Sequence, residues 1–100
     1  MRFGLPNETL AQIIACVGSF SEINWVKIYG SRAMGNYRRG SDIDLAFSGN
    51  FDESAHLLEA LDGLSTPYLY NVTYYESIGN QALKDHIDRV GVIIYTHVHS

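Results

Sequence analysis

Charged and apolar residues alternate along the segment Asp42-Ile43-Asp44-Leu45. Successive side chains of a β-strand point to opposite faces, so this alternation predicts a strand over 42–47 with both carboxylates on one face. Ile43 and Leu45 then point into a hydrophobic core. The chain must therefore form a sheet with one apolar face and with two adjacent carboxylates on the other.

Helical and extended patterns alternate along the rest of the 100-residue chain. Apolar spacings of three and four residues predict amphipathic helices, and runs of β-branched and aromatic residues predict strands. The predicted elements are a helix over 7–17, a strand over 25–29, a helical turn at 31–34, the strand over 42–47, a helix over 52–64, a strand over 68–75, a helix over 79–90 and a strand over 92–95. This order predicts a single α/β domain of the α+β type over residues 1–100, in which helices flank a small mixed sheet of about four strands.

Short polar residues are predicted to cap the helices. Asn7, Ser31 and Asp52 stand at the start of helical patterns, where their side chains can accept hydrogen bonds from free backbone N–H groups. The strands over 42–47 and 68–75 are expected to be neighbours, because strands that follow each other in sequence usually lie side by side.

Composition limits where the protein is expected to act. No apolar run approaches the ~20 residues of a bilayer-spanning helix, and the N-terminus shows no basic flank followed by an apolar core, which would mark a secretory signal. Cys16 is the only cysteine, so no internal disulfide can form, and its apolar helical surroundings predict a core position. We therefore expect a cytoplasmic protein with no membrane contact.

The charge of the chain is distributed unevenly. A net charge of −4 argues against general nucleic-acid binding. Arg32, Arg38 and Arg39 are nevertheless three of only seven basic residues, and they fall within eight positions of each other. A basic loop in an acidic chain favours a small anionic ligand, although a simply solvated loop is the alternative.

The basic loop follows a turn that suits phosphate. Gly30 comes directly after the strand over 25–29, where the lack of a side chain permits a sharp turn and a close approach to a ligand. The Ser31 hydroxyl and the free N–H groups of a following helical turn can bind phosphate oxygens. An ordinary strand-to-helix turn is the alternative, because a Gly-Ser pair alone is weak evidence.

The paired aspartates suit a metal ion. Two carboxylates this close repel each other unless something neutralises them. Mg²⁺ prefers oxygen ligands and is usually bound by one or two carboxylates together with substrate phosphates. The alternative is a solvated strand at a sheet edge. Combined with the turn and the arginines, however, Asp42 and Asp44 complete the groups needed for phosphoryl or nucleotidyl transfer.

These residues resemble a known motif. Gly30-Ser31, ten intervening residues and Asp42-Ile43-Asp44 are similar to the GS-x(10)-D-x-D motif of the DNA polymerase β-like nucleotidyltransferase superfamily. The short chain, the stretches GSRAMG and SDIDL, and the terminal GVxxY pattern that ends at Tyr95 resemble its minimal (MNT) branch. The resemblance implies the polymerase β-like palm fold.

The resemblance also implies roles for individual residues. Gly30 and Ser31 would hold the nucleoside triphosphate, and Asp42 and Asp44 would bind the catalytic Mg²⁺. In the loop, we expect Arg38 and Arg39 to neutralise nucleotide charge, whereas Arg32 either does the same or pins the loop.

Relatives carry a third carboxylate on a later neighbouring strand, and Asn71 stands at that position here. An amide keeps an oxygen ligand but loses the negative charge and the basicity that help to activate the attacking hydroxyl. Glu76 is the other carboxylate nearby. A regular strand would place it on the opposite face from Asn71, so we expect it to be a poor substitute.

Small MNT proteins commonly act as antitoxins beside a HEPN-domain toxin. The resemblance implies transfer of AMP from ATP to a tyrosine of that partner, so that the acceptor comes from another protein or from a second subunit, in a hetero-oligomer or a homodimer. The alternative that follows from Asn71 is a nucleotide-binding antitoxin or regulatory subunit with weak or no catalysis, which acts by direct binding.

Tyrosines cluster on the strand over 68–75. Strand alternation predicts that Tyr68, Tyr70 and Tyr74 share one face, opposite Asn71 and Tyr75, and we expect packing roles first and a protein interface second.

The histidines follow no metal-binding pattern. His97 and His99 are expected to lie in a terminal tail rather than in a metal site. His56 and His86 are expected to occupy surface positions or positions with satisfied hydrogen bonds.

Overall fold

The chain folds into helices and strands in the predicted order. A computed structural model describes residues 1–97, and residues 98–100 lie outside the described part. The elements are α1 Asn7–Gly18, β1 Ile23–Tyr29, α2 Gly30–Met34, β2 Ile43–Gly49, α3 Ser54–Asp62, β3 Tyr70–Tyr74, α4 Gln81–Val90 and β4 Val92–Thr96, with a 3-10 turn at Tyr75–Ser77. The predicted α/β fold, a mixed four-stranded sheet with flanking helices, is confirmed.

The sheet brings three strands with polar residues side by side. Its order is β3-β2-β1-β4, with β1 antiparallel to both β2 and β4 and with β2 parallel to β3. The predicted adjacency of the strands near 42–47 and 68–75 is therefore confirmed. Tyr29 pairs with Asp44 on one side, and Asp44 pairs with Asn71 on the other. These three residues form one row across the sheet.

The two faces of the sheet are covered differently. We call the face packed by α1 and α3 the core face, and its fully buried strand residues are Ile23, Val26, Ile28, Ile43, Leu45 and Phe47. We call the other face the site face; α4 packs there, around Tyr29, Ala46 and Ile87. The alternation along 42–47 thus divides β2 as predicted, and each fully buried side chain of the core face contributes about 1.5–3 kcal/mol.

The helix starts differ from the predicted caps. The N-cap of α1 is Pro6, so Asn7 lies inside the helix and caps nothing. The helix α2 begins one residue earlier than expected, which places Ser31 within its first turn. Before α3, Asp52 Oδ1 accepts hydrogen bonds from the Ser54 N–H at 3.0 Å and the Ser54 hydroxyl at 2.6 Å. Asp52 thus stabilises the helix start from two residues ahead.

The tyrosines near β3 divide between the faces as predicted. Tyr68, Tyr70 and Tyr74 pack with the core face, whereas Tyr75 packs with the site face. Tyr74 stacks on Phe47 with ring centroids 5.1 Å apart. The strand itself is shorter than expected because the backbone enters the 3-10 turn after Tyr74. The predicted packing role of these side chains is confirmed.

Other sequence-based expectations concern single residues. Cys16 is half-buried at the margin of the core cluster, and burial raises the pKa of its thiol. The His97 N–H donates to the Asn24 carbonyl at 2.8 Å, which attaches this position to β1 instead of leaving it in a free tail. His99 lies outside the described residues. Among residues 1–97, no helix is both long enough and apolar enough to cross a bilayer.

Candidate active site

Asp42, which directly precedes β2, and Asp44 within β2 converge with Asn71 on one point. Asn71 Nδ2 lies 3.2 Å from Asp42 Oδ2 and 2.8 Å from Asp44 Oδ1, and it donates a hydrogen bond to each. The opposite amide orientation would set its oxygen against two carboxylates, so electrostatics favours the donor in this place. The parallel register positions Asn71 directly beside Asp44. The residue predicted to replace a third carboxylate therefore bridges the other two.

The two carboxylates offer oxygen ligands of the kind that Mg²⁺ prefers. Their converging oxygens accept hydrogen bonds from Asn71 Nδ2, so a cation held between them would take the place of this amide group. Within residues 1–97, no group of three or more His, Cys, Asp or Glu side chains is placed to hold a metal ion. Asp42 and Asp44 are thus the acidic ligands available, and nucleotide phosphates or water would complete the coordination.

Gly30 brings the turn after β1 against the carboxylates. Its φ of +71° lies in the left-handed region, and a Cβ at this position would collide with Asp44 Oδ2. Conformation and close approach therefore both require glycine. The turn and Asp44 are adjacent, as predicted from the motif, and Ser31 follows in the first turn of α2.

The helix α4 contributes a further residue to this turn. His86 Nε2 accepts a hydrogen bond from the Gly30 N–H at 3.3 Å. Its ring meets the Tyr29 ring edge to face, with centroids 6.0 Å apart. His86 thus has the satisfied hydrogen bond that was expected, but its partner belongs to the candidate site. No local pattern could have shown this contact, because the two residues are 56 positions apart in sequence.

Tyr29 is held in its neutral form next to the carboxylates. Its hydroxyl lies 3.0 Å from Thr73 Oγ1. Burial raises the pKa of Tyr29, the hydrogen bond to Thr73 lowers it in part, and the negative charge of Asp44 raises it further. A tyrosine hydroxyl is already protonated at neutral pH, and the raised pKa moves Tyr29 further from ionisation, so it adds no negative charge to the site.

Arg32 is directed at backbone carbonyls. Its Nε and Nη2 donate to the Ser41 carbonyl at 3.1 and 2.8 Å, and Nη1 donates to the Phe3 carbonyl at 2.9 Å. The guanidinium also lies over the rings of Tyr37 and Tyr68. With 3% of its surface exposed, Arg32 has almost no area left for a nucleotide. Its geometry favours the loop-pinning role over phosphate binding.

Arg38 and Arg39 remain exposed. They line a pocket together with Tyr37, Tyr68 and the buried Arg32, and neither aspartate of the pair belongs to its lining. The Arg38 N–H donates to Ser41 Oγ at 2.8 Å, which ties the loop backbone to Ser41, and the side chains of Arg38 and Arg39 face solvent. Their contact with a nucleotide stays a prediction.

Glu76 is engaged away from the paired aspartates. It accepts a hydrogen bond from the Ser48 hydroxyl at the far end of β2. Ser48 is four residues from Asp44 along one strand, which corresponds to roughly 13 Å. The expected placement of Glu76 on the face opposite Asn71 is wrong, because the backbone enters the 3-10 turn after Tyr74 and turns Glu76 toward Ser48 on the site face. Its distance from the paired aspartates along β2 is what makes it a poor substitute for a third carboxylate.

A mixed sheet with Asp42 and Asp44 at the start of β2 beside a glycine turn matches the class of polymerase β-like nucleotidyltransferase folds. The family described as Polymerase beta, Nucleotidyltransferase matches residues 11–99, and the chain belongs to this family.

Solved structures share the fold. A toxin-antitoxin with AMP-PNP matches with a TM-score of 0.67 at 18% identity, covering 88% of this chain and 73% of that chain. A mutant of the toxin-antitoxin MntA-HpeT matches with a TM-score of 0.61 at 14% identity, over 93% of this chain and 75% of that chain. A proposed nucleotidyltransferase from Sulfolobus solfataricus matches with a TM-score of 0.53 at 23% identity, over 93% and 91% of the two chains. No curated protein sequence matches the chain significantly.

Proposed function

We propose that this chain is a Mg²⁺-dependent nucleotidyltransferase of the antitoxin kind, which transfers AMP from ATP to a HEPN-type toxin in the cytoplasm. The observation that carries the proposal is the convergence of Asp42 and Asp44 on one point beside the Gly30 turn. Family membership supports nucleotidyl transfer. The neighbours described as toxin-antitoxins, one of them with AMP-PNP, support the partner class and the nucleotide.

Each group of the site has a task in this reaction. Asp42 and Asp44 would hold Mg²⁺, which when bound polarises the α-phosphate and offsets its negative charge. The Ser31 hydroxyl and the backbone of the turn would bind the phosphate chain, and Arg38 and Arg39 would neutralise its charge. The hydroxyl of the acceptor attacks the α-phosphorus, the bond to the β-phosphate breaks, and pyrophosphate leaves.

Asn71 cannot take the proton that the acceptor hydroxyl loses during the attack. A carboxylate at that position could take the proton, whereas a neutral amide cannot act as a base. The proton therefore passes to water or to a basic group of the partner protein. This requirement fits an acceptor supplied by a separate chain, in a hetero-oligomer or a homodimer. It also predicts a slower reaction than a third carboxylate would allow.

The direct test uses ATP labelled at the α-phosphate, Mg²⁺ and the protein encoded by the neighbouring gene. We expect label on the partner with the wild type, more label with Asn71→Asp, and none with Asp44→Asn. The absence of label on every protein, with the wild type and Asn71→Asp alike, would contradict the proposed transfer.

A second candidate is an antitoxin or regulatory subunit that binds nucleotide and partner with little or no catalysis. The bridging amide of Asn71 favours this candidate, because its two hydrogen bonds already stabilise the negatively charged carboxylate pair without metal. Under this candidate, Asp42→Asn and Asp44→Asn preserve toxin neutralisation. Loss of neutralisation with an intact complex would instead favour transfer. Calorimetry that shows no binding of Mg²⁺·ATP would exclude the nucleotide-binding form.

A further inference from the structure

We infer that His86 is a positioning residue for the nucleotide-binding turn, which it holds against Asp44 through the backbone N–H of Gly30. The inference rests on the proposed function, because it assigns His86 an effect on nucleotide affinity. His86 is half-buried on α4, and no sequence motif connects it to the site.

The contact defines the protonation state of the ring. Gly30 N–H is the donor and His86 Nε2 the acceptor, at 3.3 Å. An imidazole nitrogen accepts only when it carries no proton, so the ring is neutral with its proton on Nδ1. The edge-to-face contact with Tyr29 holds the ring in this orientation. Tyr29 is itself anchored to Thr73 on β3 through their hydroxyls.

Gly30 is consequently fixed from two sides. His86 takes its N–H, while Asp44 Oδ2 fills the space where a Cβ would stand. The N–H of Gly30 is then committed to α4, and Ser31 is the residue of the turn that remains to bind phosphate. Glycine can adopt many backbone conformations. The hydrogen bond that Gly30 donates to His86 on α4 selects the conformation with a φ of +71°, which presents Ser31.

A matched pair of substitutions separates the hydrogen bond from simple packing. His86→Gln places an amide oxygen near the Nε2 position and retains an acceptor, whereas His86→Met has similar length without a comparable acceptor. Lys84→Met is the control on the same helix, because Lys84 lies over the Tyr75 ring and does not contact the turn. All three variants are checked for folding by circular dichroism and thermal unfolding.

Calorimetry with Mg²⁺·ATP gives the first measurement. We expect His86→Met to weaken binding about fivefold, the worth of one hydrogen bond of ordinary strength. His86→Gln and Lys84→Met should stay within about twofold of the wild type. Equal losses for the Gln and Met variants would overturn the inference, as would wild-type affinity in His86→Met. A wild type that binds no Mg²⁺·ATP would instead overturn the proposed nucleotide function, and with it the effect assigned to His86.

Hydrogen exchange of the Gly30 amide gives a second measurement that needs no nucleotide. We expect protection of this amide in the wild type and in His86→Gln, and exchange at least about tenfold faster in His86→Met. The same exchange rate in all three proteins would show that His86 does not hold the turn. This result would refute the positioning role even if nucleotide binding were normal.

Discussion

The core face and the site face belong to the same four-stranded sheet, yet different interactions stabilise them. On the core face, fully buried apolar side chains meet α1 and α3. On the site face, Asp42, Asp44 and Asn71 form a hydrogen-bonded group, and three residues, Tyr29, Ala46 and Ile87, are buried in the described cluster there. The difference shows that alternation along one strand places apolar packing on one side and a hydrogen-bonded polar group on the other. Substitutions on the two faces should therefore have separable effects.

The largest effect is expected on the core face. Phe47 is fully buried and stacks on Tyr74. Phe47→Ala should lower the free energy of unfolding by about 3–5 kcal/mol, because it removes apolar contacts and leaves a cavity. Urea unfolding measures the change, and Phe51→Ala is the control because Phe51 is 63% exposed. Similar losses of unfolding free energy in the two variants would contradict the expected difference between the buried and the exposed phenylalanine.

On the site face, Asp44→Asn should affect chemistry without loss of stability. We expect nucleotidyl transfer to fall at least about 100-fold, equivalent to about 2.7 kcal/mol, because half of the acidic metal ligands is lost. The free energy of unfolding should stay constant or rise, since one of two repelling charges is removed. Asp85→Asn on α4 is the control. A strongly destabilised Asp44→Asn would show that the two faces are not separable.

The buried Arg32 should contribute more to stability than the exposed arginines of the same loop. Arg32→Met removes the donors to the Ser41 and Phe3 carbonyls and should cost about 2 kcal/mol of stability. Arg38→Met and Arg39→Met should stay within about 0.5 kcal/mol of the wild type, because both side chains are exposed. Thermal unfolding without nucleotide checks these values. A stable Arg32→Met that loses nucleotide affinity would return Arg32 to the phosphate-binding group.

Asn71→Asp should change the free energy of unfolding by less than Arg32→Met does, with a sign that depends on metal. Without metal, a third carboxylate replaces two hydrogen bonds by repulsion, so we expect a loss of about 1 kcal/mol. Added Mg²⁺ should reverse the loss and stabilise the variant more than the wild type. Thermal unfolding in chelator and in Mg²⁺ measures both values.

Asn80→Asp is the matched control for this change. The Asn80 side chain accepts hydrogen bonds from the N–H groups of Ala82 and Leu83, and aspartate can accept both. Its stability should therefore not respond to Mg²⁺. If Asn71→Asp is equally insensitive, the convergence point on the site face is not a metal position.

Sequence patterns predicted the elements whose residues interact locally. Strand alternation placed Asp42 and Asp44 on one face, and it separated Tyr70 from Asn71. The resemblance to a known motif identified Asn71 as the substituted position. Helix starts were less accurate, as at Asn7, because a cap depends on backbone geometry as well as on residue type.

Contacts between distant segments could not be predicted. Arg32 and His86 each meet partners far away in sequence, and no spacing rule shows which backbone atom a long side chain will reach. The sequence leaves open whether Arg32 neutralises nucleotide charge with Arg38 and Arg39 or pins the loop, and only burial and the nearby carbonyls distinguish it from them. The side-chain bridge from Asn71 likewise depends on the parallel register, which follows from the three-dimensional arrangement of the strands.

The period of two along β2 also limits how the length of this chain can change during evolution. One residue inserted between Asp44 and Phe47 would turn every later side chain to the opposite face, placing Phe47 among polar groups and Ser48 in the apolar interior. The exposed turn around Gly63 has no such parity, because it lies between α3 and β3 and outside the motif, so an insertion there lengthens only a surface loop. Relatives of this protein should therefore vary in length in such loops while keeping the strand from Asp44 to Phe47 free of gaps.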